Sequence, residues 1–136
     1  MATDEATEAR DGRGQQAAGI SRGMVGLVRK HAGRGPTKAR TTIGRDHVLV
    51  VLNDTLTQAE RTLAENGHWD RVDRSRSALQ DVMRPEAIKL VEETLYRSVV
   101  GFLSANHCDP DLGVEVFILE SGDGAETGVY EAEDSA

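Results

Sequence analysis

The stretch "KARTTIGRDHVLVVL", Lys38 to Leu52, decides how the rest of the chain has to be arranged. Two runs of β-branched and apolar residues, "KARTTI" and "HVLVVL", flank the glycine-containing turn "GRD", a pattern that predicts a β-hairpin. In the second run both alternating sets are apolar, Val48, Val50 and Leu52 on one side and Leu49 and Val51 on the other. Side chains alternate between the faces of a sheet, so this strand is expected at the sheet centre with cover on both faces.

Cover has to come from amphipathic segments on either side. Upstream, "QQAAGISRGMVGLVRKHAG" places Ile20, Met24, Leu27 and His31 at helical spacing, with Val28 beside them and Gly33 as a C-terminal cap. Its interior glycines Gly19, Gly23 and Gly26 each cost a helix about 0.5 to 1 kcal/mol relative to alanine. They mark either a GxxxG ridge for self-association or a helix lying close over a sheet. Downstream, Thr57 and Glu60 stand at capping-box spacing, and "TLTQAERTLAENG" reads as a short helix ending at Asn66 and Gly67.

"HWDRVDRSRSALQDVM" repeats Trp69, Val72, Leu79, Val82 and Met83 at helical intervals. Pro85 predicts a break or kink before "PEAIKLVEETLY", whose stripe is Ile88, Val91 and Leu95. A second hairpin follows, "SVVGFLSANH" and "VEVFILE" joined by "CDPDLG". The expected fold class is therefore α+β: a single domain in which two β-hairpins form an antiparallel sheet of about four strands, with helices mainly on one face.

The first dozen residues hold no large apolar side chain after Met1, and the last sixteen hold only Val129 and Tyr130. Such ends cannot offset their ordering entropy by burial, so 1–14 and 121–136 are expected to be disordered tails around a folded body at 15–120. No window matches a membrane span or a signal peptide, and the lone Cys108 leaves no internal disulfide. These features predict a soluble, cytoplasmic protein. Five aromatic residues give little for bases to stack upon, which argues against nucleic-acid binding.

The formal charge of -7 is unevenly distributed along the chain. Residues 13–45 contain eight Arg and Lys and no acid, whereas Ser98 to the end contains nine acids and no Arg or Lys. Folding can expose this contrast as a basic binding face, or cancel it by bringing the segments together.

Two loops carry candidate chemistry. "GRGPTKAR" offers Gly33, Gly35 and Thr37 together with Arg34, Lys38 and Arg40, residue types that can cradle phosphate, carboxylate or bicarbonate or contact a charged partner. It lacks P-loop spacing and follows a helix C-terminus, where the dipole disfavours anions. "SANHCDPDLGVE" offers Asn106, His107, Asp109 and Asp111; His107, Asp109 and Asp111 are weak candidates for a metal site and a metal-dependent hydrolase. Carboxylates in such a turn equally serve as caps for local backbone N–H groups. No cofactor motif is present, and no constellation of catalytic type is recognisable.

The same two loops lie within long phrases that resemble the MpsC family of small bacterial proteins: Ile20 to Gly67, and "VVGFLSANHCDPDLGVEVFILE". The matching positions include Gly33, Arg34, Gly35, Pro36, Thr37, Lys38 and Arg40, and Asn106, His107, Asp109, Pro110 and Asp111 in "NHxDPD". Cys108 stands where an aliphatic residue is expected. The resemblance implies a non-catalytic accessory or regulatory component of a Na+-translocating, membrane-potential-generating system whose membrane partners are linked to bicarbonate uptake. It implies a location peripheral to the inner face of the membrane, and it carries no catalytic residues. Self-association into a homo-oligomer is expected; the alternatives are a small-anion sensor for bicarbonate, phosphate or a nucleotide, and the metal-dependent hydrolase.

Overall fold

A computed structural model describes residues 2–121 and 130–135, with side chains described for 12–121. In chain order the elements are α1 (Ala2–Ala32), β1 (Lys38–Ile43), β2 (His47–Asn53), α2 (Gln58–Glu65), α3 (Trp69–Leu95), β3 (Val99–His107), β4 (Leu112–Leu119) and β5 (Tyr130–Ser135).

The two hairpins join through their second strands. All neighbours in the order β3-β4-β2-β1 are antiparallel, which gives the expected four-stranded α+β sheet. β5 adds a fifth strand on the outer edge of β1. Its sequence is acidic where β1 is basic, and the register puts Glu133 opposite Arg40.

The segment 1–14, read from its composition as a tail, is described from Ala2 onward as part of α1, and its Ala, Glu and Arg content suits a helix. The expected tail 121–136 includes β5, while 122–129 lie outside the described residues.

α1 and α3 pack against the same sheet face. Ile20, Met24 and Val28 meet Val48, Val50, Leu52, Phe117 and Leu119, with Met83, Ala87, Val91 and Leu95 from α3 completing the core. A buried hydrogen bond of 2.7 Å between the hydroxyls of Ser21 and Thr41 ties α1 to β1. Its two partners satisfy one another, so neither is a buried polar orphan.

β2 occupies the middle of the sheet, as its apolar alternation predicts, but among the described residues helices cover only one of its faces. Leu49 and Val51 are half-buried on the opposite, helix-free face, alongside Val114 and Val116 of β4. Lateral neighbours on the sheet, rather than a second helical layer, supply their partial burial. Leu103, opposite Val116, extends this face and is 63% exposed.

Two further expectations change. α3 runs unbroken through Pro85, which lies with Asp81 on its exposed side, where water can satisfy the carbonyl that loses its partner. Val82 faces solvent, because the sheet-facing stripe is Val72, Arg76, Gln80, Met83 and Ala87. The polar members of that stripe hide its period from a purely hydrophobic count.

Gly23 is where α1 approaches α3: a Cβ placed there would lie 2.6 Å from the Leu90 methyls, whereas one at Gly26 meets nothing within 4 Å. Gly23→Val is therefore expected to destabilise the fold by about 1 to 3 kcal/mol through overpacking. Gly26→Ala is expected to stabilise it by about 0.5 to 1 kcal/mol through helix propensity. Urea denaturation of the two variants checks both signs.

Candidate functional site

Sheet register brings the two motif loops to one end of the molecule. Lys38 opposes Asn53, Asn53 opposes Leu112, and Leu112 opposes His107, so the connections before β1, after β2 and between β3 and β4 are neighbours. The middle connection, Asp54 to Thr57, lies between the other two.

Asp111 holds this middle connection from one side. One carboxylate oxygen accepts hydrogen bonds from the Thr55 amide (3.1 Å) and hydroxyl (3.2 Å), and the other accepts from the Leu56 amide (3.0 Å). The Asp54 amide donates to the Asp111 carbonyl at 3.0 Å. The sequence reading of a turn carboxylate as a cap for backbone N–H groups describes this arrangement, with the capped groups belonging to another loop.

Arg34 holds the connection from the other side. Its guanidinium donates to the Asp54 carbonyl (2.7 Å), the Leu56 carbonyl (2.8 Å) and the Asp54 carboxylate (3.0 Å). The second Asp54 oxygen accepts from Arg61, which also lies 4.0 Å from Asp111. Asp54 takes a left-handed backbone conformation with φ of 57°, which a short polar side chain tolerates better than most. Gly33 supplies the positive φ of 80° that ends α1 and turns Arg34 toward the loop.

The remaining motif residues divide by location. Pro36 is buried and the Thr37 amide bonds to the Asn53 carbonyl at 3.0 Å, while Arg40 is exposed on the helix-free face and Lys38 is half-buried. His107 donates from Nδ1 to the Pro110 carbonyl at 2.9 Å, and Asp109 is exposed. Among the described residues no group of three or more His, Cys, Asp or Glu side chains is placed to hold a metal ion. His107 and Asp111 are turned toward separate backbone partners.

A cavity of about 430 Å³ opens beside the clasp, lined by Leu56, Ala64 and Cys108 together with Arg61, Glu65, Asp109 and Asp111. Three carboxylates face one guanidinium there, an unfavourable balance for an anion. None of the residues 33–40 contributes to its lining. The loops converge on a shared connection, and this cavity is not lined by both of them.

A second polar group runs inward from the clasp. Arg76, 5% exposed, donates to the Thr55 carbonyl at 2.6 Å and to the Glu60 carboxylate. Burial acts to raise the Glu60 pKa, but hydrogen bonds from Arg76 and the Thr57 amide outweigh it and hold the carboxyl below its ordinary value. Further along α3, Gln80 exchanges hydrogen bonds with the Asn106 amide at 3.3 and 3.0 Å and donates to Glu115 at 3.2 Å. Glu115, 2% exposed, also accepts from Ser104.

Burial pushes Glu115 from its ordinary 4.5 up to about 7; the Ser104 and Gln80 hydrogen bonds offset only part of that cost. The inward position of a glutamate within the otherwise apolar "VEVFIL" is the sequence signal for this group.

Part of the basic charge of residues 13–45 is met by acids that lie outside the acidic segment beginning at Ser98. Lys30 and His31 meet Glu86 at 3.0 and 2.9 Å, and Arg34 meets Asp54 at 3.0 Å. No helix among the described residues is long and apolar enough to cross a membrane.

Residues 12–121 match the family model described as Na+-translocating membrane potential-generating system (MpsC). The chain belongs to the MpsC family. Searches of curated proteins and of solved structures returned no match. The matched span of this MpsC chain covers α1 from Gly12 through β4, and so contains the whole clasp and the buried Glu115 group.

Asp111→Ala is expected to destabilise the fold by about 2 to 4 kcal/mol, because it strands the Thr55 and Leu56 amides without acceptors. Asp109→Ala, at an exposed position, is expected within about 0.5 kcal/mol of the parent. Denaturant midpoints distinguish the two. Glu115 gives a pH signature: the folded chain holds its proton more tightly than the unfolded chain, so stability falls as pH rises from 4.5 through about 7. The loss amounts to roughly 3 kcal/mol once the carboxyl is ionised in both states. Glu115→Gln is expected to flatten this pH dependence and to be the more stable protein at pH 8, as thermal melts across that range would register.

Proposed function

We propose that this MpsC chain is a non-catalytic accessory or regulatory component of a Na+-translocating, membrane-potential-generating system, acting by contact at the cytoplasmic side of the membrane. The observation that carries this reading is the state of the motif residues. The charged side chains most suited to chemistry, Arg34, Asp54, Arg61 and Asp111, satisfy one another and the backbone of residues 54–56. A group engaged in this way holds a loop in shape; it does not stand ready to transfer a proton or activate water.

Two features support contact as the mode of action. The helix-free sheet face presents the exposed Leu103 beside the half-buried Leu49, Val51, Val114 and Val116, and contiguous apolar surface of this kind is a common mark of interaction sites. The shaped loop end borders that face through Arg40 and Asn53. The family description names a membrane system, and a chain held at its cytoplasmic face would act on it from outside the ion path.

Affinity purification of the tagged full chain from membranes of its native cell, after mild crosslinking, is expected to recover integral subunits of an ion- or bicarbonate-transport complex. Removing the chain is expected to lower the Na+-dependent membrane potential reported by a voltage-sensitive dye. Repeated recovery of soluble proteins alone, with the potential unchanged, would sink the proposal.

A further inference from the structure

The two edges of the sheet are treated differently. At one edge lies β5, six residues long with the acidic sequence "YEAEDS", and at the other lies β3, which among the described residues pairs with β4 alone. One row of β3 backbone N–H and C=O groups therefore faces outward; at its start the Val99 amide is taken by the Glu92 carboxylate at 2.9 Å. Natural edge strands are usually protected by shortness, proline, lysine or an inward charge. β3 is nine residues long, "VVGFLSANH", with no proline and no Lys, Arg, Asp or Glu; a bulge between Val99 and Gly101 interrupts only its first pairs. Val100, at 64%, and Leu103, at 63%, rank among the most exposed large apolar side chains of the described residues, and Tyr96, at 89%, stands just before the strand.

We propose that β3 pairs antiparallel with β3 of a second copy of this chain across a two-fold axis, joining the two sheets into one. Three observations favour an identical copy as the occupant. The strand is free of formal charge apart from His107 at its end, so it meets its own image without like-charge repulsion, and it offers no complement to a charged foreign strand.

The sequence is also self-complementary. A register centred on Leu103 sets Leu103 against Leu103 and Gly101 against Ala105 on the helix-free face, with Phe102 against Ser104 on the helix side. Each pair then keeps its side chains on one face, as antiparallel pairing about an axis normal to the sheet requires.

The area is sufficient as well. Nine residues extend about 30 Å, and a sheet with one helical layer is roughly 20 Å deep, so the edge buries on the order of 600 Å² per copy. About 1,200 Å² in total reaches the lower end of specific interfaces. The pairing also makes the two helix-free faces continuous. It stands independently of the function proposed above, since it needs no membrane partner.

Sedimentation of the full chain over a range of concentrations, with hydrogen exchange, tests the pairing. A species of twice the chain mass is expected, with amides of 99–107 that become protected as it forms. Leu103→Lys changes an exposed side chain, and the fold is expected to survive it, as checked by circular dichroism; dimerisation is expected to weaken about 10- to 100-fold. Val82→Lys, on the outer side of α3, is expected to leave it unchanged. Leu103→Cys combined with Cys108→Ser is expected to give a disulfide-linked dimer under mild oxidation, because the register places position 103 against itself. A monomer at every concentration, including one whose 99–107 amides become protected only on adding membranes, would overturn the proposal. So would a dimer indifferent to Leu103→Lys that fails to crosslink.

Discussion

Much of the molecule depends on one carboxylate accepting hydrogen bonds from a loop that precedes it by more than fifty residues. Asp111 satisfies the Thr55 and Leu56 amides, which otherwise have no ladder or helix partner at the point where β2 ends and α2 has not begun. Buried N–H groups without acceptors cost about 1 to 3 kcal/mol each, so the chain must supply an acceptor there. Supplying it from the β3–β4 turn fixes the second hairpin against the first at this end of the sheet. Arg34 closes the same connection from the α1 side, so three stretches far apart in sequence share one arrangement.

The opposite end of the sheet uses a similar device with less burial. Arg97 donates to the Arg45 and Glu120 carbonyls at 2.8 and 3.0 Å, linking the first hairpin turn to both ends of the second hairpin. Between these ties the apolar core needs little further specification. α1 and α3 lie on one face, and Ser21 with Thr41 supplies a single buried polar registration point. The inward carboxyl of Glu115 is the costly exception. Its burial is tolerable because Ser104, Gln80 and Asn106 form a connected amide and hydroxyl group around it and because it can keep a proton near neutral pH. A change in its protonation would be felt by α3 and both strands of the second hairpin, which makes it a pH-sensitive joint in the core.

This organisation gives the family motifs a physical meaning. "GRGPTKAR" and "NHxDPD" have the residue types of an anion loop and a metal turn, yet their charged members Arg34 and Asp111 grip a third loop from opposite sides. The cavity beside them inherits three carboxylates and one guanidinium from α2 and the turn, not the cations of the first motif. Among the ionisable motif residues, Arg40, His107 and Asp109 remain outward-facing, Arg40 beside the apolar helix-free sheet surface.

The sequence by itself determined the elements and their class. The "GRD" hairpin, the Thr57 and Glu60 capping box, the Gly33 and Gly67 helix ends and the second hairpin all follow from local φ preferences, capping chemistry and hydrophobic period, which neighbouring residues decide. The α+β arrangement follows because those periods leave faces that must be buried together. Only the tertiary structure decided which face of β2 stays open, that Pro85 lies inside a continuous helix, that Arg76, Gln80 and Glu115 are buried, and that Arg34 and Asp111 meet across Asp54 to Leu56. The reason is physical: the cost of a buried charge or an orphaned amide depends on partners brought in by folding, and sequence separation carries no record of which partners those will be.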